Sequence, residues 1–84
     1  MSPASRNRGW SDALKTRTRD VIEGAGVFAV RHGRLHLKHV TSGFGTISDE
    51  DLHRGVLKVV ERSTGIEATF ADADELIAVG WAID

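Results

Sequence analysis

The sequence predicts an α+β fold: a two-layer sandwich in the order αββαββ, with two helices on one face of a four-stranded, mainly antiparallel sheet. Three observations predict it. Two stretches carry apolar residues at helical spacing, each opened by a serine and closed by a glycine. Each is followed by segments where apolar residues alternate or cluster as they do in strands. The two halves also echo each other: Leu14, Val21, Ile22 and Glu23 match Leu52, Val59, Val60 and Glu61 at a constant offset of 38. After one further residue, Gly26, Val27 and Ala29 match Gly65, Ile66 and Ala68.

In chain order, residues 1–9, MSPASRNRG, read as a flexible tail ahead of one small α+β domain over 10–84. Ser11 caps a helix over roughly 12–24 in which Leu14, Thr18, Val21, Ile22 and Ala25 recur at helical spacing, with Gly24 and Gly26 as the stop. A hairpin then turns at His32 and Gly33. Val30 pairs with Leu35 and Phe28 with Leu37 on one face; Arg31 opposes Arg34, Ala29 opposes His36 and Val27 opposes Lys38 on the other. Ser48 caps a second helix, with Asp49, Glu50 and Asp51 complementing its dipole and Ile47 stapled to Leu52. Leu52, Val56, Val59, Val60 and Ser63 line its buried face until Gly65 ends it. A second hairpin turns through Asp72–Glu75, placing Ile66, Ala68 and Phe70 with Ile77, Val79, Trp81 and Ile83 on one face. The reverse side of the last strand, Leu76, Ala78, Gly80 and Ala82, is also apolar. Phe28, Leu37, Val59, Val79 and Trp81 are the expected core.

Composition sets outer limits. Eighty-four residues with 40% hydrophobic and 27% charged content suit one small globular domain. The absence of cysteine rules out disulfides, thiolate metal sites and cysteine nucleophiles, so stability must come from packing or self-association. The first residues hold no apolar run of about seven or more, so they do not resemble a secretory signal, and a cytoplasmic protein is expected. No stretch approaches the roughly eighteen consecutive apolar residues of a membrane-spanning helix. Residues 1–41 hold eight Lys/Arg against three Asp/Glu and residues 42–84 three against nine, a +5/−6 division that can steer a partner.

No motif specifies a reaction, and no enzyme activity is expected. His32, His36, His39 and His53 invite a metal reading, but turn, strand and helix positions scatter them, and no metal or cofactor is expected. The loop TSGFGTISDED puts glycines before a helix start but lacks the lysine and spacing of a P-loop, and its three acids repel an anion; Phe44 within it is expected to fold back onto the core. Ser11, Ser42, Ser48 and Ser63 sit where caps, loops or helix positions already account for them.

The helix opened by WSDAL, the stretch VRHGRLHLKHV reading as strand, glycine turn and strand, and a helix closing on TGI before another strand together resemble the BON domain, a small αββαβ module, over about residues 10–70. The chain departs from that pattern at His39, where the family has a second glycine, in the linker TSGFGT, and in lacking the family's export signal. The resemblance implies non-catalytic binding to phospholipid surfaces or partner proteins.

Two function classes follow. The first is an interaction module, an adaptor, inhibitor or oligomeric accessory protein. It would meet an acidic protein partner through Arg31, Arg34, His36 and Lys38, with a homodimer interface on the apolar strip Leu76, Ala78 and Ala82. The second uses Arg6, Arg8, Lys15, Arg17, Arg19, Arg31, Arg34 and Lys38 against the phosphates of a nucleic acid, or the same basic side against anionic lipid. Few aromatics are available for base stacking, which favours the first.

Overall fold

Ser11, in extended conformation, accepts the Leu14 N–H on its hydroxyl at 3.2 Å and opens α1 (Asp12–Glu23), as the cap signal predicts. The computed structural model describes residues 9–24 and 29–84. After α1 come β1 (Arg34–His39), β2 (Gly43–Ser48), α2 (Asp49–His53), β3 (Leu57–Glu61), β4 (Glu67–Phe70), α3 (Ala73–Val79) and β5 (Trp81–Ile83). The fold is α+β, and the described residues form three helices and five strands where the sequence predicts two and four. The strands form one curled antiparallel sheet in the order β4-β3-β2-β1-β5. The first four make a meander, and α3 carries the chain back to lay β5 against β1.

His32 and Gly33, with φ of 57° and 77°, make the predicted two-residue turn, and Arg31 and Arg34 exchange backbone hydrogen bonds of 2.8 and 3.1 Å across it. The predicted hairpin stops at that pair. Beyond it β1 pairs with β5, so Leu37 faces Ile83, Lys38 faces Ala82 and His39 faces Trp81. Val30 and Ala29 therefore do not face Leu35 and His36, and the expected partners Val27 and Phe28 lie outside the described residues. Physically, β5 offers β1 a strand buried at all three positions, whereas Ala29 and Val30 are half-buried and lie outside any strand.

The second predicted helix is the largest correction. Ser48 does cap it, accepting the Asp51 N–H at 3.1 Å, but α2 ends at His53 and Gly55, at φ 73°, turns the chain into β3. In β3, Leu57 and Val59 are buried while Lys58 and Val60 point to the other face. The last hairpin is likewise replaced. β4 pairs with β3, and Asp72, accepting the Glu75 N–H at 2.8 Å, caps α3, which ends at Gly80 with φ 119°.

The core lies on the inner face of the sheet. Leu35, Leu37, Ile47, Leu57 and Val59 meet Ile22 of α1, Leu52 of α2, Leu76 and Ile77 of α3, and Trp81 and Ile83 of β5. Leu37, Val59 and Trp81 join this core as predicted, whereas Val79 is 51% exposed at the end of α3. The apolar strip predicted for a homodimer is absent: Leu76 and Ala82 are fully buried within the chain itself, and only Ala78 is exposed. Helical geometry turns Leu76 inward, away from Ala78, so the strand periodicity that aligned the three does not hold.

The two edges of the sheet are treated differently. Along β5, the Ile83 N–H donates to the Thr18 hydroxyl of α1 at 3.1 Å, and that hydroxyl donates to the Leu14 carbonyl at 2.7 Å. Trp10 adds a second clamp, donating its indole N–H to the Gly80 carbonyl at 2.8 Å. At the far edge, Glu67, Ala68 and Thr69 of β4 are all exposed.

Candidate binding face

Alternation along β1 sends Leu35 and Leu37 to the core and Arg34, His36 and Lys38 to the outer face of the sheet. Arg31, directly opposite Arg34 across the tight turn, shares that face. All four residues predicted to meet a partner are thus brought together, Arg31 and Arg34 exposed, His36 and Lys38 half-buried. Their surroundings differ. The His36 ring Nε2 lies 3.3 Å from the Arg31 carbonyl, tying the ring to the turn. The Lys38 ammonium lies 5.0 Å from the centre of the Trp10 ring, a cation–π contact that holds its alkyl stem on the sheet.

The neighbouring strands complete the face. Register places Ser48 beside Arg34, Thr46 beside His36 and Phe44 beside Lys38, and then Val60 beside Thr46 and Glu67 beside Val60. Phe44 is therefore a strand residue, 49% exposed next to Lys38, and not a loop aromatic folded into the core. The glycines flanking it explain the difference: with Gly45 on the inner face there is room for the Trp81 ring to fill that side, and Phe44 is turned outward.

The curl of the sheet creates a hollow of about 220 Å³ lined by Arg34, Thr46, Ser48, Asp51, Lys58 and Val60. Lys58 reaches the Asp51 carboxylate at 3.8 Å, a long ion pair at the rim. A second, more open hollow of about 410 Å³ is lined by Ala29, Arg31, His32, His36 and Asp84. Lys58, Thr46 and Phe44 belong to the face but escaped the sequence reading. Helical periodicity over Leu52–Val60 places Lys58 in a helix, although its position between Leu57 and Val59 also carries the two-residue period of a strand.

The remaining basic residues of the nucleic-acid reading are dispersed. Arg19 of α1 donates to the Asp74 carboxylate of α3, with N···O distances of 2.7–2.8 Å, and that hydrogen bond and charge raise the guanidinium's pKa. Lys15 and Arg17 sit on α1, and Arg6 and Arg8 lie outside the described residues.

The histidines occupy four separate settings. His32 is in the turn, His36 on the outer face, and His53 approaches the Asp49 carboxylate at 3.2 Å within α2. His39, on the inner side of β1, accepts the Thr41 and Ser42 N–H groups on Nδ1 at 3.1 and 3.2 Å, which leaves the ring proton on Nε2 to be donated to the Val79 carbonyl at 2.9 Å. Its ring stands edge-on to Trp81 with centroids 4.8 Å apart. Both ring nitrogens of His39 are thus spent on holding the β1–β2 turn against the end of α3. Among the described residues, no three His, Asp or Glu side chains are grouped to hold a metal ion, and no helix is long and apolar enough to cross a membrane.

Comparison with known proteins finds no family model, no curated protein and no solved structure that matches this chain.

Proposed function

We propose that this protein is a non-catalytic interaction module that binds an acidic segment of a partner protein through the outer face of its sheet. The observation that carries this reading is the unpaired state of the cations there. Among the described residues, Arg31, Arg34 and Lys38 have no carboxylate within ion-pair distance, whereas Arg19 and Lys58 each have one. Two arginines directly opposite on a hairpin repel by a few tenths of a kcal/mol to about 1 kcal/mol, a cost that an anion laid across them reverses. Splayed into salt water, the same side chains would repel negligibly, so the test must separate binding from mere solvation.

Protein is favoured over nucleic acid by what surrounds the cations. Glu67 lies on the same face and Asp51 at the rim of its hollow, where a continuous phosphate backbone would meet them. Among the described residues, Phe44 is the one large aromatic on that face more than a third exposed, and bases need stacking partners in succession. Overall charge is −1.

The decisive measurement is a titration at low and moderate ionic strength of a fluorescent Glu/Asp-rich peptide, single-stranded DNA, RNA and anionic vesicles against the native chain. The variant Arg31→Glu/Arg34→Glu/Lys38→Glu is titrated in parallel. Peptide binding that weakens with salt and drops at least tenfold in the variant, with an unchanged unfolding transition, is the expected result. Nucleic acid or vesicles bound in preference, and lost in the variant, would transfer the function to those ligands. Equal binding by both chains would reduce the basic face to solvated surface.

A further inference from the structure

We infer that the chain forms a two-fold dimer by pairing β4 with β4 of a second copy, the axis passing at Ala68. The backbone sets the geometry. The Glu61 N–H donates to the Ile66 carbonyl at 2.9 Å, and Val59 faces Ala68 and Leu57 faces Phe70 across the β3–β4 ladder. Antiparallel alternation then turns the N–H and C=O groups of Ala68 and Phe70 toward β3, and those of Glu67 and Thr69 away from the sheet. β4 thus presents two residues' worth of backbone donors and acceptors to whatever lies beyond the edge.

Of the usual guards of such an edge, β4 has only its shortness and the outer-face charge of Glu67; it holds no inward charge, no proline and no bulge. The positions on the core side of the strand are all apolar and poorly covered: Ile66 is 67% exposed, Ala68 is exposed and Phe70 half-buried. The opposite edge explains why the partner is a second β4. Along β5 the Ile83 N–H is already spent on Thr18 and α1 lies over the strand, so head-to-tail pairing of β4 onto β5 has no vacant acceptor strand. Pairing of like with like closes at two.

Self-complementarity fixes the register. With the axis at Ala68, Glu67 and Thr69 of the second copy form a hydrogen-bonded pair, Ala68 meets its own copy, and Ile66 meets Phe70 of the second copy. An axis at Glu67 would stack the two carboxylates, and an axis at Thr69 would set Ile66 against Asp72. The two-fold axis stands perpendicular to the sheet, so both outer faces, with Arg34 and Lys58, lie on the same side of a ten-stranded sheet.

Sedimentation velocity on the full chain tests this: the 9.1 kDa species should convert to twice that mass as concentration rises through the micromolar range. Thr69→Pro removes an outward N–H that bonds nothing in the monomer and should weaken the dimer at least tenfold; Ile66→Lys should do the same without touching the ladder. Because the native chain has no cysteine, Ala68→Cys reports the register directly: the two Cα atoms face each other at a spacing a disulfide spans. Mild oxidation should yield a covalent dimer from Ala68→Cys and not from Glu67→Cys. A single 9.1 kDa species up to about 1 mM would overturn the proposal. So would a dimer that tolerates both edge variants, or one that gives no Ala68→Cys product.

Discussion

Gly45 and Trp81 illustrate how single residues set the architecture. A Cβ at Gly45 would come within 2.9 Å of both the Trp81 ring and a Val59 methyl group, so the indole occupies the space a side chain on β2 would otherwise take. Gly45→Ala should therefore overpack the core and cost about 1–3 kcal/mol in urea unfolding. Trp81→Phe, by withdrawing the larger ring, should recover part of that loss in the double variant, because the two positions share one volume. Strict additivity of the two single changes would mean that the glycine is required for backbone reasons alone. Across the same strand end, Gly80 is equally constrained: a Cβ there would lie 2.7 Å from the His39 Nε2, and its φ of 119° already disfavours other residues. The His39 ring, the Gly80 backbone and the Trp81 indole form one packed unit at the junction of β1, α3 and β5.

At the level of elements, local chemistry was readable at two serine caps and one tight turn. Ser11, Ser48 and the His32–Gly33 turn stand where the sequence puts them, and the alternation in RLHLKH delivers the basic residues to one face. Periodicity failed where two periods compete. Leu52, Val56, Val59 and Val60 fit a helix, but Leu57 and Val59 fit a strand, and Gly55 at φ 73° decides for the strand by breaking the helix first. For α3, the strand-like alternation of Ile77, Val79, Trp81 and Ile83 masks a cap signal. Asp72 followed three residues later by Glu75 is a helix-start signature, here with the Glu75 carboxylate accepting the Ala71 N–H at 3.0 Å, one residue before the cap. Pairing of β5 with β1 was not legible, since nothing local in Trp81–Ile83 specifies a strand some forty residues away. Asp72→Ala should destabilise the fold by about 0.5–2 kcal/mol, the usual worth of a helix cap. Asp72→Ser, which retains an acceptor, should lose much less. Chemical denaturation of both would check it, and equal losses would remove the cap from the account.

At the scale of the molecule, the described residues of the two oppositely charged sequence halves interleave in space, because β1 from the first half lies between β2 and β5 from the second. Arg19 and Asp74 even draw the halves together across α1 and α3. Two further hydrogen bonds join the start of the described chain to its end: Trp10, just ahead of α1, donates to the Gly80 carbonyl, and the Ile83 N–H donates to Thr18 of α1. Thr18 is fully buried, and its hydroxyl both accepts from β5 and donates to the Leu14 carbonyl. Thr18→Val keeps the shape but leaves the Ile83 N–H without an acceptor, away from water. An unsatisfied buried donor costs about 1–3 kcal/mol, against about 0.5–1.5 kcal/mol for the net value of an ordinary hydrogen bond. Thr18→Ser retains the hydroxyl and forfeits one methyl group, worth about 1 kcal/mol. The valine variant should thus be the less stable of the two despite its greater hydrophobicity. Hydrogen exchange distinguishes the cause: the Ile83 amide should lose protection selectively in Thr18→Val and keep it in Thr18→Ser. If valine stabilises the chain, or if the Ile83 amide stays protected in it, the edge of β5 is covered by packing alone and the hydroxyl is dispensable.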